Sequence, residues 1–461
     1  MPSAMPSHRR FALMLVPALL CVAAGAEPPA AYRDIPAQYD FPAAPAVLEQ
    51  LRASSDVTGQ RRHAWQLFAG ITSPAADGRP IWETWYSRLD TFQVPGKTAT
   101  AAGRRASLVS LRQARLAPGD RLVPPSDPHL SDILFNRPAY DHIRRNKLYL
   151  KSTLAKLNAA FPPGTPLWSR AIPEFPAQSV VLKVVYWPVK RDGMTPMPVW
   201  DFAPVNRYSP ATPLPSNPQT SWARVVAIDP GRSSVPPGTV ADIFYNNRLR
   251  PKSSVVPLDS FYRVELDAGL VAMMKQNRYF MDSVDMVFGK GRTIEPGDWI
   301  VVAAVHITTK EIPAWVWATA WWHDKPNDGP LAVGRPNAIE GVWRNYLMDT
   351  TFDPYLPVES DGSPNITYNP WMEGVEAGGI QSNCGACHSR ATYPGVSSDP
   401  ATRGLNDPFY NAPIFPGGKD PAFDGSRLML DALWSIYIES YPPVVPHPRR
   451  PGAARKAGAV R

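Results

Sequence analysis

The pentapeptide Cys384-Gly385-Ala386-Cys387-His388 constrains this chain more than any other segment. Its Cys-x-x-Cys-His spacing is that of covalent c-type haem attachment. Two thiols three residues apart on a short turn or helix can each add across one vinyl group of the same porphyrin, and the adjacent imidazole then lies beneath the ring. We therefore predict one covalently attached haem c, with Cys384 and Cys387 as thioethers and His388 as the proximal iron ligand.

Cysteine usage limits the alternatives to this interpretation. The chain has three cysteines, and Cys21 lies in an apparent signal peptide, so the exported protein keeps only the pair in the motif. A local disulfide or a thioredoxin-like redox pair remains open, although residues 376–383 lack the strand pattern that precedes such a redox motif. A zinc site also remains open, but structural zinc takes four ligands and the chain has no second cysteine pair.

The pentapeptide also carries a resemblance to known proteins. It is similar to the haem motif of bacterial c-type cytochromes. Together with the aromatic stretches at 82–85 and 306–322, it resembles a broad group of bacterial exported single-haem proteins of unassigned function. The resemblance implies a haem protein but supplies no reaction.

The amino-terminal residues have the pattern of a secretory signal peptide. Two arginines at positions 9 and 10 precede an apolar run at 11–24, and small residues at 24–26 offer a cleavage site. We predict removal of residues 1–26 and a periplasmic or secreted location, which suits a haem that is attached after export. No later segment has about 20 consecutive apolar residues, so no transmembrane anchor is expected after cleavage.

The net charge of +8 is concentrated at the two ends of the chain. Two arginines lie in the signal, and the tail at 448–461 holds five basic residues and no acidic one, so the part between them is nearly neutral. A solvated, disordered tail is the simplest interpretation, and weak contact with acidic surfaces is the alternative. The charge pattern gives no basis for nucleic-acid binding. The expected partner is a redox protein of unknown identity.

Valine-rich and aromatic runs predict β-strands in the middle of the chain. The longer strands are residues 179–189, 299–308 and 314–322, and the shorter ones are 224–228 and 240–244. The strands at 299–308 and 314–322 are predicted to pair as a hairpin. Because strands and helices do not alternate regularly, the sequence favours an antiparallel α+β fold over a doubly wound sheet.

Apolar spacing predicts a few helices near the ends of this β-rich part. These are residues 141–160, 337–348 and 426–439. The second begins at an apparent capping box of Asn337 and Glu340. The long loop at 391–423 is rich in Pro, Gly and Asn, and a haem would provide an apolar surface for it to cover. We therefore divide the mature chain into a β-rich body (27–335) and a largely helical, loop-rich, haem-bearing segment (336–447).

The sixth coordination position of the iron determines what such a haem can do. A strong second ligand makes an electron carrier, whereas an open position permits small-molecule binding or peroxide chemistry. Met429 is the first candidate for the distal ligand because it is the only methionine downstream of the motif. His447, Met372, His306 and His323 are further candidates, and each is also explicable as a structural residue.

Two aromatic segments have both a functional and a structural interpretation. Trp315, Trp317 and Trp321 are predicted on one side of a strand, where they would relay electrons, line a haem pocket or simply pack the sheet. Glu83 lies between two indoles and is an acid or base candidate if it is buried beside a haem edge. Otherwise it is a surface glutamate on a β-strand.

These patterns together predict a periplasmic monohaem c-type cytochrome that binds haem and transfers electrons. The first alternative is a haem enzyme of peroxidase-like or oxygen-activating type with an open distal site. The second is a haem-based sensor or binding module. Electron transfer alone does not explain the large β-rich body.

Overall fold

The computed structural model describes residues 32–93, 109–110, 130–201, 222–352, 367, 369–373, 383–389, 391–394 and 426–440. The predicted signal peptide, the basic tail, His447 and most of the loop at 391–423 lie outside these residues.

The described strands form three sheets. They are β1 (Tyr86–Ser87), β2 (Val109–Ser110), β3 (Leu130–Phe135), β4 (Val180–Val189), β5 (Thr195–Val199), β6 (Arg224–Asp229), β7 (Val240–Tyr245), β8 (Arg248–Pro257), β9 (Arg263–Glu265), β10 (Trp299–Thr309), β11 (Val316–Trp322), β12 (Tyr346–Thr351), β13 (Thr392–Tyr393) and β14 (Leu428–Met429). An eight-stranded antiparallel sheet has the path β1-β3-β4-β10-β11-β12, with β2 beside β3 and β9 beside β10. A four-stranded sheet has the order β5-β6-β8-β7 and one parallel pair, β6 with β8. The third sheet pairs β13 with β14.

Helices pack against each of the three sheets. Those described are α1 (Pro45–Ala53), α2 (Val57–Thr72), α3 (Arg88–Phe92), α4 (Arg137–Arg145), α5 (Lys151–Ala159), α6 (Ala268–Lys275), α7 (Arg278–Phe288), α8 (Pro370–Glu373), α9 (Cys384–His388) and α10 (Trp434–Glu439). This combination of helices and mainly antiparallel sheets confirms the predicted α+β class. Among the described helices, none is long and apolar enough to cross a membrane.

All five predicted strands are present as β4, β10, β11, β6 and β7. The hairpin of β10 and β11 is also confirmed, with Thr309 opposite Val316 and Ala304 opposite Trp321. These strands are rich in valine, isoleucine and aromatic residues, whose branched or broad side chains pack well on a pleated surface.

The prediction of a single helix over 141–160 is wrong. The structure has α4 and α5 instead, separated by residues 146–150. Lys147 has a left-handed φ of 53°, and the Asn146 amide donates a hydrogen bond of 2.9 Å to the His142 carbonyl oxygen. Together they end α4, because a left-handed residue cannot continue a right-handed helix.

The other two helix predictions fail for related reasons. Residues 337–348 form a short 3₁₀ turn at Gly341–Asn345, followed by β12. Gly341 has a φ of 56°, and β12 satisfies its backbone by pairing with β11. In the predicted helix at 426–439, only α10 is helical, because Asp431 and Ala432 have φ values of 46° and 63°. Before them, Leu428–Met429 is a strand.

The two faces of the large sheet are covered by different parts of the chain. We call face A the side that carries the cross-strand row Phe135, Val181, Thr308, Trp317 and Thr351, because residues opposite each other in antiparallel strands point to the same side. The other face packs against α2, where the Phe68 ring lies 5.5 Å from that of Tyr346.

One end of face A packs against the carboxy-terminal residues. Phe135, Val181 and Trp317 share an apolar cluster with Leu428 and Leu430. Moreover, β12 falls within 336–447 but is a strand of the large sheet. The described parts of the predicted body and of the predicted haem-bearing segment therefore pack on one sheet.

Candidate haem attachment site

The Cys-x-x-Cys-His motif forms the single-turn helix α9. Cys384 and His388 are four residues apart, so they lie on the same side of a helical turn. The Cys384 side chain is half-buried, and its Sγ lies 3.5 Å from the carbonyl oxygen of Thr367. The side chain of Cys387 lies outside the described part of the structure. The described geometry thus directs one thiol and the imidazole toward one side of α9.

The imidazole of His388 has a defined tautomer. Its Nδ1 lies 2.9 Å from the carbonyl oxygen of Ala432. A carbonyl only accepts hydrogen bonds, so Nδ1 carries the proton and Nε2 carries the lone pair. Histidines that bind metals commonly donate their second ring N–H to a carbonyl or a carboxylate in this way. His388 therefore has the orientation and tautomer that an iron ligand needs.

Trp317 lies against this imidazole from the large sheet. The two rings are 4.4 Å apart between centroids and are inclined by 44°. The indole N–H of Trp317 donates to the carbonyl oxygen of Ala314 at 3.1 Å, and the residue is only 3% exposed. Face A thus supplies a rigid apolar wall beside His388.

The carbonyl that accepts from His388 belongs to a turn held by a carboxylate. Asp431 Oδ1 accepts from Lys310 Nζ at 2.6 Å and from the indole N–H of Trp315 at 3.0 Å. Its Oδ2 accepts from the backbone N–H of Phe175 at 3.0 Å. We call Asp431 and these three donors the Asp431 cluster.

The charges of the Asp431 cluster are largely withdrawn from water. The side chain of Lys310 is 3% exposed and that of Asp431 is 13% exposed. Lys310 Nζ also lies 3.1 Å from the more exposed carboxylate of Glu174. Nearby, burial lowers the pKa of His142, whose ring packs 4.1 Å from Phe175. This histidine is therefore neutral at neutral pH and adds no charge.

The predicted row of three tryptophans is not continuous. Trp317 and Trp321 are both on face A. Trp317 packs under α9, whereas Trp321 belongs to the main core, which is the larger apolar cluster that contains Phe68 and Tyr346. Trp315 precedes β11 and has a φ of 63°, which is unusual for a bulky residue. It is fully buried, and its ring contacts Phe175 at 5.6 Å.

Two of the distal-ligand candidates have well-defined structural surroundings. Met372 lies in α8 and is buried in the main core. His323 is also buried, with Nε2 3.4 Å from Asp201 and Nδ1 accepting from the backbone of Lys325 at 2.9 Å. Burial raises the pKa of the Asp201 carboxyl, but hydrogen bonds from His323 and Arg224 outweigh it and hold that pKa below its usual range. These contacts give His323 a structural role.

Met429 lies close to α9 in the chain fold, but in a strand rather than in the predicted helix. It pairs with Thr392 in the β13–β14 sheet. Its neighbours Leu428 and Leu430 are fully buried in the cluster under α9, whereas Met429 is partly exposed. Successive side chains of a strand point to opposite sides, so Met429 points away from this cluster.

Glu83 is not the surface glutamate on a β-strand that the second interpretation describes. It lies in a 3₁₀ turn (Ile81–Thr84), not in a strand, and its side chain is only 7% exposed. Its carboxylate accepts from the Tyr262 hydroxyl at 2.8 Å and lies 3.5 Å from the Arg79 guanidinium. These partners satisfy the buried carboxylate within the main core.

His306 belongs to a polar row that crosses face A. Lys183, His306, Thr319 and Asp349 lie directly opposite one another on β4, β10, β11 and β12. Thr319 and Asp349 are buried. Lys183 and His306 are partly exposed, although their strands lie in the middle of the sheet. The Asn369 amide donates to the Thr319 hydroxyl at 2.7 Å. We call these four residues the polar row.

The polar row lies next to the wall that contacts His388. Trp317 is opposite Thr308, which is two residues from His306 on β10. Trp317 and His306 are therefore diagonal neighbours on the same face, a relation that places Cβ atoms about 7 Å apart.

No family model, curated protein or solved structure matches the chain. Its interpretation therefore rests on the residues themselves, and those around α9 fit a c-type haem. Cys384 and His388 lie on one side of α9, the His388 ring is oriented through Nδ1 by a backbone carbonyl, and Trp317 provides an apolar surface. Nothing in the sequence pattern indicated Lys310, Asp431 or the Ala432 carbonyl as parts of this site.

Proposed function

We propose that this protein is an exported, periplasmic monohaem c-type cytochrome that transfers electrons to or from a partner redox protein. The observation that carries the proposal is the hydrogen bond between His388 Nδ1 and the Ala432 carbonyl oxygen. This bond orients the ring through Nδ1, so that Nε2 would be the ligand atom, on a helix that also carries the two thiols of the attachment motif.

The haem would supply one-electron chemistry at iron, and the chain would determine its setting. Cys384 and Cys387 would hold the macrocycle covalently, and His388 would bind the iron from one side. Trp317 would exclude water from the imidazole, and a low local polarity shifts the potential of a bound haem. Proton transfer is not required of any of these residues.

The proposal is tested on the full chain produced with a cytochrome c maturation system. We expect a pyridine haemochrome spectrum of the thioether type, with one haem per chain that stays on the polypeptide after denaturation. For an electron carrier, we also expect a low-spin ferric spectrum that added carbon monoxide or peroxide changes little. A colourless, iron-free protein obtained under these conditions would contradict the proposal.

The polar row favours a second candidate function, a haem site with an open distal face that binds a small molecule. Polar side chains one step from Trp317 would suit a ligand that needs hydrogen bonds beside iron. For this function, the wild-type ferric haem would be high-spin.

For this second function, His306→Phe is expected to weaken carbon monoxide binding to the ferrous protein by about fivefold. One hydrogen bond contributes about 1 kcal/mol, which corresponds to roughly that factor. His306→Gln keeps a polar side chain at the same position and is the matched control, with an expected change of less than about threefold. Equal carbon monoxide affinities of His306→Phe and the wild type would show that the polar row is not part of the haem site.

A further inference from the structure

We propose that Asp431 is the positioning residue of the proximal histidine: its carboxylate fixes the turn whose Ala432 carbonyl orients His388. This inference rests on the proposed haem function, since it concerns the same imidazole. Asp431 itself makes none of the described contacts with His388, and it acts through the backbone of the next residue.

The first support is the convergence of three distant parts of the chain on one carboxylate. Phe175 follows α5, Lys310 and Trp315 lie in the β10–β11 turn, and Asp431 lies between β14 and α10. Both oxygens of the carboxylate are used, one by two donors and one by the third. Charged hydrogen bonds of this kind are stronger than neutral ones and are strongest where water is excluded.

The second support is the backbone conformation that the Asp431 cluster maintains. Asp431, Ala432 and Trp315 have left-handed φ values of 46°, 63° and 63°. Side chains with a Cβ disfavour this region, so such residues persist only where their surroundings hold them. The Asp431 carboxylate joins the two strained turns. Asp431 belongs to the turn at 431–432, and its carboxylate accepts from the indole of Trp315 in the other turn. The carbonyl of Ala432 then points at His388 Nδ1.

The cluster also determines how electron-rich the imidazole is. A histidine that donates Nδ1–H to a fixed carbonyl is a more basic ligand at Nε2. A more basic ligand stabilises ferric over ferrous iron. If the turn relaxes, the hydrogen bond lengthens, the Nδ1 proton becomes accessible to water and the midpoint potential of the haem rises.

The test is Asp431→Asn in the full-length holoprotein, examined by paramagnetic proton NMR and spectroelectrochemistry. Asparagine has almost the same shape as aspartate. Its amide is uncharged, so the ion pair with Lys310 is lost, and its nitrogen cannot accept the hydrogen bond that one carboxylate oxygen accepts in the wild type. We expect the His388 Nδ1 proton to exchange with deuterated water about tenfold faster than in the wild type, which corresponds to the loss of one hydrogen bond. The midpoint potential is expected to rise.

The chain contains a matched control in another buried lysine–aspartate pair. Asp298 Oδ2 accepts from Lys190 Nζ at 2.8 Å, and the two side chains are 0% and 3% exposed. Asp298 also accepts from the backbone N–H groups of Arg191 and Glu295. Asp298→Asn therefore removes a similar buried charge, and we expect it to lower stability without changing the Nδ1 exchange rate or the potential.

A milder variant covers the case in which Asp431→Asn does not fold. Trp315→Phe removes only the indole donor, and we expect the same changes at about one third of the size. Wild-type values of exchange and potential in the Asp431→Asn or Trp315→Phe holoprotein would overturn the inference, as would equal changes in Asp298→Asn. A wild-type protein without covalent haem would instead overturn the proposed function together with the inference.

Discussion

Haem is expected to separate completely from the polypeptide under denaturing conditions once Cys384 and Cys387 are both replaced by alanine. The two thiols are the only cysteines that follow the predicted cleavage site, so no other side chain can form a thioether. A haem-stained denaturing gel measures this directly, with a strong band for the wild type and none for the double variant.

Cys21→Ala is the matched control for the double variant. It removes the third cysteine of the chain, which lies in the predicted signal peptide, and should leave the haem stain unchanged. Covalent haem that persists in the Cys384→Ala, Cys387→Ala protein would show that attachment uses another residue. A stain lost in Cys21→Ala alone would point to a defect in export.

Replacement of His388 by alanine should leave some covalent haem and remove its proximal ligand. The thioethers do not depend on the imidazole, whereas the iron loses the nitrogen that the Ala432 carbonyl orients. We expect the ferric absorption spectrum to become high-spin or to show a replacement ligand. Added imidazole at millimolar concentration should restore a low-spin spectrum, because a free imidazole can occupy the position that the side chain leaves.

His63→Gln provides the comparison for this variant. His63 is a partly buried histidine in α2, and its Nε2 lies 3.0 Å from the Glu311 carboxylate. Its replacement should leave the haem spectrum as in the wild type. An unchanged spectrum in His388→Ala would exclude His388 as a ligand, and an equal change in both variants would indicate a general loss of structure.

The strands of this fold are predictable because their signal is local. Alternation and β-branched residues over 179–189 or 299–308 are enough to locate β4 and β10, and a short connection is enough to pair β10 with β11. The helix at 337–348 is predicted from apolar spacing and from an apparent capping box at Asn337 and Glu340. In the structure, residues 346–351 pair with the edge of β11 and form β12. No feature within residues 337–348 reveals that β11 lies beside them.

The attachment motif and its surroundings differ in the same way. The pentapeptide is recognisable because its chemistry depends on spacing within five residues. The Asp431 cluster is not, because its three donors lie between 116 and 256 residues from the carboxylate. In the sequence, Asp431 stands inside an apolar pattern typical of a helix, and only the left-handed turn at 431–432 shows that the pattern is interrupted.

The polar row was hidden for a third reason. In the sequence, His306 stands alone in a strand of apolar residues, where a structural role is common. Its partners Lys183, Thr319 and Asp349 come from three other strands, and their alignment requires the register of each pair. A shift by one residue would send every one of these side chains to the opposite face.

The contacts of Asp431 with Phe175 and with the β10–β11 turn bear on how the molecule would mature. In the export that we propose, the residues around Asp431 would emerge after both the large sheet and the pentapeptide, so final closure would wait for them. Pairings between residues distant in sequence form slowly. We expect this delay to keep the pentapeptide accessible to a haem lyase. The turn at 431–432 would fold last and would then fix the orientation of the His388 imidazole.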